Sequence, residues 1–342
     1  MEPDAGGCRA VCGPRCRPGR KHHNEHDDAP GNDDEPGCGL LTSIHSNTMK
    51  ICRYNEGLPG LILGDAIYPL AEALATSGAT RAGASMADVI DALANHPAAQ
   101  DALAIAQRGT PVALSSATLL APIDNPPAIW AGAANYRSHQ VEMTGRVGAY
   151  DRSQFPADDL MAEVFLKPSS AIVGPGGTVI LPKIAKHVDF ECELCVVIGR
   201  SAKDVRAEQA LDYVYGYTMC WDISVRDPWG RRHNTRNIRK GFDTFCGVGP
   251  WFVTREEIAE PQDLHIEVQQ NGQTVMRAHT ADMINGVREL IRFLSSVTTL
   301  KPGTLITTGT PAGVSQLAHG DRLKGTIGGI GAMELDVVAA AA

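Results

Sequence analysis

The stretch HVDFECELCVVIG, residues 187–199, alternates between apolar and polar side chains with a period of two, which is typical of a β-strand. Its apolar positions run from Val188 to Ile198 at every second residue and predict a face that packs on a core. The opposite face carries one histidine and three acids, namely His187, Asp189, Glu191 and Glu193. Neighbouring side chains on one face lie about 6.6 Å apart, so these carboxylates repel one another unless they are solvated, protonated or bound to a cation.

Two interpretations of this acidic row are open at the level of the sequence. One is an edge strand whose acidic face is solvated. The other is a metal site, which is favoured because acids are poor strand formers and because the apolar face continues without interruption into CVVIG. Glutamates at i and i+2, here Glu191 and Glu193, can bind one hard cation together. Oxygen ligands favour Mg²⁺ or Mn²⁺, with Ca²⁺ as a further candidate, over zinc.

A third acid stands where another strand is predicted to end. In YGYTMCWDISVRDPWG, residues 215–230, Asp222 follows an apolar run and precedes polar residues that are typical of a loop. An acid at such a position is either a functional residue or simply the cap of a turn. Asp222 is therefore a candidate third ligand whose assignment depends on the acids of the first stretch.

The chain divides by composition into three segments: 1–48, 49–122 and 123–342. The first has no Phe, Trp or Tyr, so it cannot bury enough apolar surface to offset its ordering entropy, and it is predicted to be a disordered tail or extension. A zinc site in this tail is the alternative, with the candidate ligands Cys8, Cys12, Cys16, Cys38, His22, His23 and His26. The second segment is predicted to be a small N-terminal domain, with strands at 50–54 and 60–64 and a helix in MADVIDALANHP.

The third segment has the texture of a strand-rich α+β domain. Its short apolar runs are broken by Gly and Pro, and Asn271-Gly272 inside an alternating stretch predicts a β-hairpin. Apolar residues at helical spacing predict one helix over 285–298. Because neither a G-x-G-x-x-G motif after a strand nor a P-loop is present, a nucleotide-binding α/β sheet is not expected.

The net charge and the hydropathy of the chain argue against nucleic acid and membranes as partners. The formal net charge of the 342 residues is −8, so the chain has no basic footprint for nucleic acid. No apolar run approaches the roughly 18 residues that a membrane span needs, and the first residues carry no apolar signal region. We therefore expect a cytoplasmic protein that binds neither nucleic acid nor membranes.

Five further motifs, taken with the three acids, carry a resemblance to a known family. They are AGAANYRSHQVEM (131–143), VFLKPSSAIVGPGG (164–177), RKGFDTFCGVGPW (239–251), LITTGTPAGV (305–314) and GDRLKGTIGGIGAMELDV (320–337). Together and in this order they resemble the fumarylacetoacetate hydrolase family over roughly residues 129–339. The resemblance implies a mixed β-sandwich or β-roll that forms a homodimer and holds a divalent cation.

The resemblance also implies roles for individual residues. The implied metal ligands are Glu191, Glu193 and Asp222, with Asp189 as nearby support. The implied catalytic residues are His139, Glu142 and Lys240, where His139 is the base and lies on a helix that orders over bound substrate. The implied substrate-binding residues are Arg226, Lys167, Thr310 and Tyr136. Surface positions for the lysines and for His139, and a turn-shaping role for Thr310, are the alternatives. The spacing of His139 and Glu142 favours function, because i and i+3 are neighbours on a helix.

These residues predict a metal-dependent hydrolase that cleaves a carbon–carbon bond in an acylpyruvate or β-diketo acid, of the kind met in aromatic-compound catabolism. A cation with open coordination positions stabilises the enolate that leaves, and a histidine activates water near neutral pH. The alternative on the same scaffold is a decarboxylase or isomerase of a 2-oxo dioic acid. The alternative from a different class is a non-enzymatic metal- or partner-binding protein that works through its Cys/His tail.

Overall fold

The computed structural model describes residues 49–147, 161, 163–227 and 236–341. The predicted tail over 1–48, with its alternative zinc site, lies outside the described residues. Six α-helices have bounds within the described ranges: α1 (Ala71–Thr76), α2 (Met86–Asn95), α3 (Ala99–Gln107), α4 (Arg137–Val147), α5 (Arg236–Arg239) and α6 (Val287–Val297).

Strands dominate the remainder of the described chain. They are β1 (Lys50–Tyr54), β2 (Leu58–Leu63), β3 (Ala66–Pro69), β4 (Val112–Ala113), β5 (Leu119–Leu120), β6 (Ile129–Ala131), β7 (Phe165–Lys167), β8 (Ile172–Val173), β9 (Thr178–Leu181), β10 (Val188–Asp189), β11 (Cys192–Ile198), β12 (Val214–Asp222), β13 (Ser224–Val225), β14 (Cys246–Thr254), β15 (His265–Gln270), β16 (Gln273–His279), β17 (Leu305–Thr307), β18 (Arg322–Ile327) and β19 (Gly331–Ala339).

Two large sheets organise these strands. A 12-stranded sheet runs in the order β4-β3-β2-β1-β14-β12-β11-β17-β6-β7, with β5 beside β1 and β8 beside β14. A five-stranded sheet runs in the order β16-β15-β18-β19-β9. The predicted strand-rich α+β fold is therefore confirmed. Strands from the leading segment, predicted as a separate small domain over 49–122, join the large sheet through the antiparallel pairing of β1 with β14. The domain boundary itself stays a prediction.

The two sheets pack on each other through an apolar core. Met219 and Trp221 of β12 share one buried cluster with Leu323 of β18 and Leu335 of β19. Gly325 permits the close approach, because a Cβ at this position would lie 2.8 Å from both the Met219 sulfur and the Trp221 ring. The opposite face of the large sheet packs on α1, α2 and α3 in a second buried cluster. The middle of the large sheet is thus covered on both faces, which makes its strands a rigid base.

Several local predictions are confirmed. The strands expected at 50–54 and 60–64 are β1 and β2. The helix expected in MADVIDALANHP is α2, and Ser85 and Asp88 form a capping box at its N-terminus. The helix expected over 285–298 is α6. Asn271 and Gly272 join β15 to β16 with φ values of 54° and 77°, the positive pair that a type I′ hairpin turn requires. None of the helices in the described ranges is long and apolar enough to cross a membrane.

One prediction needs correction. The stretch 187–199 is not one continuous strand, because the chain leaves the extended pairing at Phe190 and Glu191. The first part, β10, pairs with β13 in a separate two-stranded sheet, and only β11 belongs to the large sheet. The break lets the backbone carbonyl of Glu191 accept a hydrogen bond from the Asp222 N–H at 2.8 Å. Strand periodicity alone could not show this break, since both parts keep their alternation across it.

Candidate metal centre and active site

The three predicted metal ligands meet at one end of the central strands. Glu193 is the second residue of β11 and lies directly opposite Cys220 on β12. Asp222 is the last residue of β12, and Glu191 lies in the break just before β11. One carboxylate oxygen from each of the three residues lies within 4.8 Å of the others, which is close enough to hold a single metal ion.

The acidic residues of the first stretch are buried. Glu191 is 4% exposed, Glu193 is 1% exposed and Asp189 is fully buried. Strand β11 is paired on both sides, by β12 and β17, so it is not an edge strand. The interpretation of a solvated acidic face on an edge strand is therefore wrong. Buried carboxylates are retained only with positive partners, hydrogen bonds or a metal ion.

Lysine and arginine side chains form ion pairs with two of the three predicted ligands, Glu191 and Asp222. The Lys240 ammonium donates to Glu191 Oε2 at 2.7 Å and also to Asp222 Oδ2. The Arg226 guanidinium donates to Glu191 Oε1. Burial opposes ionisation of Glu191, yet Lys240 and Arg226 hold the pKa of its carboxyl well below the ordinary value. The Lys167 ammonium donates to the other oxygen of Asp222 at 2.6 Å.

Glu193 is the ligand that lacks a positive partner in the described part of the chain. Its Oε2 accepts a hydrogen bond from the Gly309 N–H at 2.8 Å. Burial, followed by the charges of Asp222 and Glu191, raises the pKa of the Glu193 carboxyl well above its ordinary value. A divalent cation would supply the missing positive charge next to this carboxylate. The donor set of three buried carboxylates thus fits a hard ion such as Mg²⁺ or Mn²⁺.

Helix α4 brings the predicted base over the acidic site. The His139 ring has Nδ1 at 3.5 Å from Glu142 Oε2 and Nε2 at 3.6 Å from Glu191 Oε1. Burial disfavours the charged ring, but Glu142 and Glu191 outweigh burial and raise the pKa of His139. Glu142 is itself held by the Gly313 N–H, which donates to its Oε1 at 3.1 Å. The structure therefore places this pair together and next to Glu191, a predicted metal ligand.

The four predicted substrate-binding residues differ in their hydrogen-bond partners. Arg226 and Lys167 are buried and already bonded to carboxylates, Arg226 also to Asp189 Oδ2 at 3.1 Å. The Thr310 hydroxyl donates to the backbone carbonyl of Cys192 at 3.1 Å. Tyr136 is fully buried, its hydroxyl has no hydrogen-bond partner among the described residues, and burial raises its pKa. Arg226 and Lys167 are thus bonded to the acids of the centre, while the contact of all four side chains with substrate stays a prediction.

Sequence reasoning missed one residue that connects these parts. Arg146, near the end of α4, donates to the Val314 carbonyl at 2.8 Å and lies 3.3 Å from Asp189 Oδ2. A signal for it was present, because His139, Glu142 and Arg146 follow the i, i+3, i+7 spacing of one helix face. Their shared face points to the site that α4 covers.

Comparison with known proteins agrees with this geometry. The family described as fumarylacetoacetate (FAA) hydrolase C-terminal matches residues 128–338, and the chain belongs to that family. The resemblance drawn from the motifs is therefore confirmed. A maleylpyruvate hydrolase of Aquipseudomonas alcaligenes is 35% identical over 295 residues, which are 84% of this chain and 99% of the relative. The mitochondrial oxaloacetate tautomerase Fahd2a of Rattus norvegicus is 38% identical over 63% of this chain and 67% of its own length.

A solved structure supports both the fold and the metal. The maleylpyruvate hydrolase of Sphingobium sp. SYK-6, crystallised with manganese(II) and pyruvate, matches with a TM-score of 0.70 at 31% identity. The match covers 85% of this chain and 99% of that one. The relatives include hydrolases and a tautomerase, so membership makes this chain an enzyme without fixing its reaction class. The manganese in that relative and the acidic triad here agree with the divalent cation predicted from the sequence.

Proposed function

We propose that this chain is a metal-dependent hydrolase that cleaves the carbon–carbon bond between the acyl carbonyl carbon and the adjacent methylene of an acylpyruvate. The observation that carries the proposal is the His139 ring, which lies between Glu142 and the metal ligand Glu191. A histidine with a carboxylate partner is the arrangement that activates water near neutral pH. Two maleylpyruvate hydrolases that each align with the chain over nearly their whole length add support from similarity.

In this proposal Glu191, Glu193 and Asp222 hold a divalent cation, either Mg²⁺ or Mn²⁺. The chemistry that the ion supplies when bound is polarisation of the 2-oxo acid and stabilisation of the enolate that leaves. Gly309 orients Glu193 through its N–H, and the hydrogen bond from the Asp222 N–H to Glu191 fixes the two ligand-bearing segments to each other. These backbone contacts set the ligand positions before any ion arrives.

Side chains of the protein would carry out the proton transfer and stabilise the developing negative charge. Neutral His139 takes a proton from water as the water oxygen attacks the acyl carbonyl, and Glu142 stabilises the imidazolium that results. The bond between the acyl carbon and the next methylene then breaks, and the pyruvate enolate takes up a proton. Lys240 is held by carboxylates at the centre, where its ammonium stabilises negative charge that develops on a substrate oxygen.

The second candidate is tautomerisation or isomerisation of a 2-oxo dioic acid on the same residues. The similarity to the rat oxaloacetate tautomerase favours it, since that reaction uses an enolate and consumes no water. A decarboxylase would use the same enolate. The non-enzymatic alternative has no support, because the named relatives are enzymes. A homodimer, a cytoplasmic location and a place in aromatic-compound catabolism remain parts of the proposal that rest on sequence and resemblance.

Product analysis tests the proposal. The Mn²⁺-loaded protein is incubated separately with acetylpyruvate, fumarylpyruvate and oxaloacetate, and products are quantified by NMR with a chelated sample as the control. We expect pyruvate together with acetate or fumarate from the first two substrates, and loss of both reactions after chelation. Turnover of oxaloacetate alone would favour the second candidate and contradict hydrolysis.

A further inference from the structure

Two buried cysteines lie side by side next to the acidic centre, and the proposed reaction uses neither of them. The Sγ atoms of Cys220 and Cys246 are 3.8 Å apart, close enough for one thiol to donate a hydrogen bond to the other sulfur. Both residues are fully buried, and both are free thiols. Cys220 lies on β12 and Cys246 on β14, which are neighbouring strands of the large sheet. The thiol pair therefore bridges two strands of the rigid base.

Each thiol is also the direct cross-strand neighbour of a proposed metal ligand. Cys220 is paired with Glu193 of β11. Cys246 is paired with Asp222, the last residue of β12. Side chains that are opposite each other, or two residues apart on one strand, point to the same face of a sheet. The two thiols and the two carboxylates thus share one face, and any movement of the thiols acts on the strand ends that carry the ligands.

The separation of the two sulfur atoms suits a covalent bond that needs only a small movement. The sulfurs of a disulfide are about 2.05 Å apart, so these two would have to approach by roughly 1.8 Å. Cys220 is opposite Val248, so it is a diagonal neighbour of Cys246. The Cβ atoms of diagonal neighbours lie farther apart than the roughly 4 Å that a disulfide requires. Closing the bond would therefore draw β12 towards β14 at the end where Asp222 lies.

We propose that Cys220 and Cys246 form a modification site for hydroperoxides, at which oxidation to a disulfide weakens cation binding at the neighbouring centre. One thiol, as its thiolate, attacks a peroxide oxygen, the O–O bond breaks, and a sulfenic acid and water are formed. The second thiol attacks the sulfenic sulfur, the S–O bond breaks, and the oxygen leaves as water. With hydrogen peroxide, two thiols and one peroxide thus give one disulfide and two waters.

This inference rests on the proposed function for the ligand positions and for the route of the oxidant. A centre that admits water and a 2-oxo acid also admits a molecule as small as hydrogen peroxide. An ion bound by Glu193 and Asp222 would resist the movement of the strand ends, so cation binding and disulfide formation should oppose each other.

Peptide mapping detects the bond directly. The reduced protein is treated with hydrogen peroxide, with or without Mg²⁺, which takes no part in redox chemistry, and is then alkylated and digested with trypsin. Cys220 falls in the tryptic peptide 207–226 and Cys246 in 241–255, and neither peptide contains another cysteine. We expect these two peptides joined through their cysteines, more slowly with Mg²⁺, and separated again by dithiothreitol. Absence of the joined peptides in the metal-free sample would overturn the inference.

Calorimetry with Mn²⁺, after the peroxide has been removed, measures the effect on the metal centre. The oxidised wild type should bind Mn²⁺ about 10- to 100-fold more weakly than the reduced protein, the range for changes next to metal ligands, and dithiothreitol should restore the affinity. Cys220→Ala and Cys246→Ala each remove the bond, so their Mn²⁺ affinity should not respond to peroxide. Cys52→Ala, which changes a buried cysteine in a different cluster, should respond as the wild type does.

The remaining outcomes separate this inference from the proposed function. Joined peptides with an unchanged Mn²⁺ affinity would overturn the inference, and so would a loss of affinity that also occurs in Cys220→Ala and Cys246→Ala. A reduced wild type that binds no Mn²⁺ but still forms the joined peptides would overturn the proposed metal centre and leave the thiol pair standing as a modification site.

Discussion

The Arg146 guanidinium lies 3.3 Å from the buried Asp189 carboxylate and donates to the Val314 carbonyl at 2.8 Å. Asp189 also accepts from the Arg226 Nε at 3.1 Å, and Arg226 in turn bonds Glu191. A chain of ion pairs thus connects the far end of α4 with Glu191, a proposed metal ligand. Because His139 lies on α4, this chain fixes the distance between the proposed base and the metal centre.

Removing Arg146 should loosen that connection. In Arg146→Met the end of α4 loses both contacts, and we expect hydrolysis to fall by up to about 100-fold, since small misplacements of a catalytic group carry penalties of that size. Hydrogen exchange of amides in 137–147 should become faster, while Mn²⁺ affinity stays near the wild-type value. Arg200→Met, at an exposed position, is the control. Unchanged exchange in α4 together with reduced Mn²⁺ affinity would contradict the positioning role.

Glu193 and Glu191, two of the three proposed ligands, should differ in their effect on stability without metal. Glu193 has no ion pair in the described chain, and burial together with Asp222 and Glu191 raises the pKa of its carboxyl. Glu193→Gln therefore breaks no ion pair and relieves repulsion, so the free energy of unfolding should stay the same or rise. Glu191→Ala takes a partner from both Arg226 and Lys240 and should cost about 3 kcal/mol. Urea denaturation of the metal-free proteins measures both values.

Glu193→Gln and Glu191→Ala should both lose Mn²⁺ binding, which calorimetry measures. Glu334→Gln, at an exposed position, should retain it. The ordering of stability is the sharper part of the prediction. A Glu193→Gln protein less stable than Glu191→Ala would show that the charge of Glu193 is compensated in a way that the described contacts do not contain.

His139 and Glu142 should affect catalysis and leave the metal in place. His139→Ala is expected to lower hydrolysis by roughly 10²- to 10⁴-fold, the contribution of a general base, with Mn²⁺ affinity retained because neither residue is a ligand. Glu142→Gln should lose less, since the amide can still hydrogen-bond the ring but cannot stabilise the imidazolium. Any oxaloacetate turnover should be affected less by either change. Full hydrolysis by His139→Ala would remove it from the mechanism.

Asn135 should be a stability determinant at the start of α4. Its amide donates to the Asn285 and Thr308 carbonyls, and its Oδ1 accepts from the Asn285 N–H, each at 2.8 Å. Asn135→Ala leaves these buried backbone groups without their partner, at a cost of about 1–3 kcal/mol. Thermal unfolding followed by circular dichroism measures the loss, with the exposed Asn237→Ala as the control. A melting temperature equal to that of the wild type would refute the prediction.

The sequence could predict the meeting of Glu191, Glu193 and Asp222 because each of these acids is marked by a local pattern. Glu191 and Glu193 share a strand alternation, and Asp222 follows an apolar run, so neither signal depends on distant contacts. The break at Phe190 could not be predicted, because it follows from the pairing of β10 with β13, thirty-odd residues further along the chain. The hydrogen bonds of Arg226 and Lys167 to carboxylates could not be predicted either, because their partners are distant in the sequence and meet only in the folded chain.

Incorporation of oxygen from water distinguishes hydrolysis from isomerisation in this enzyme. The Mn²⁺-loaded protein is given fumarylpyruvate in H₂¹⁸O, and the products are followed by mass spectrometry beside a His139→Ala sample. We expect one pyruvate and one fumarate for each substrate consumed, with ¹⁸O in a carboxyl group of the fumarate, and a rate at least about 100-fold lower in the variant. Conversion of the substrate into an isomer of the same mass, with no fumarate formed, would contradict it.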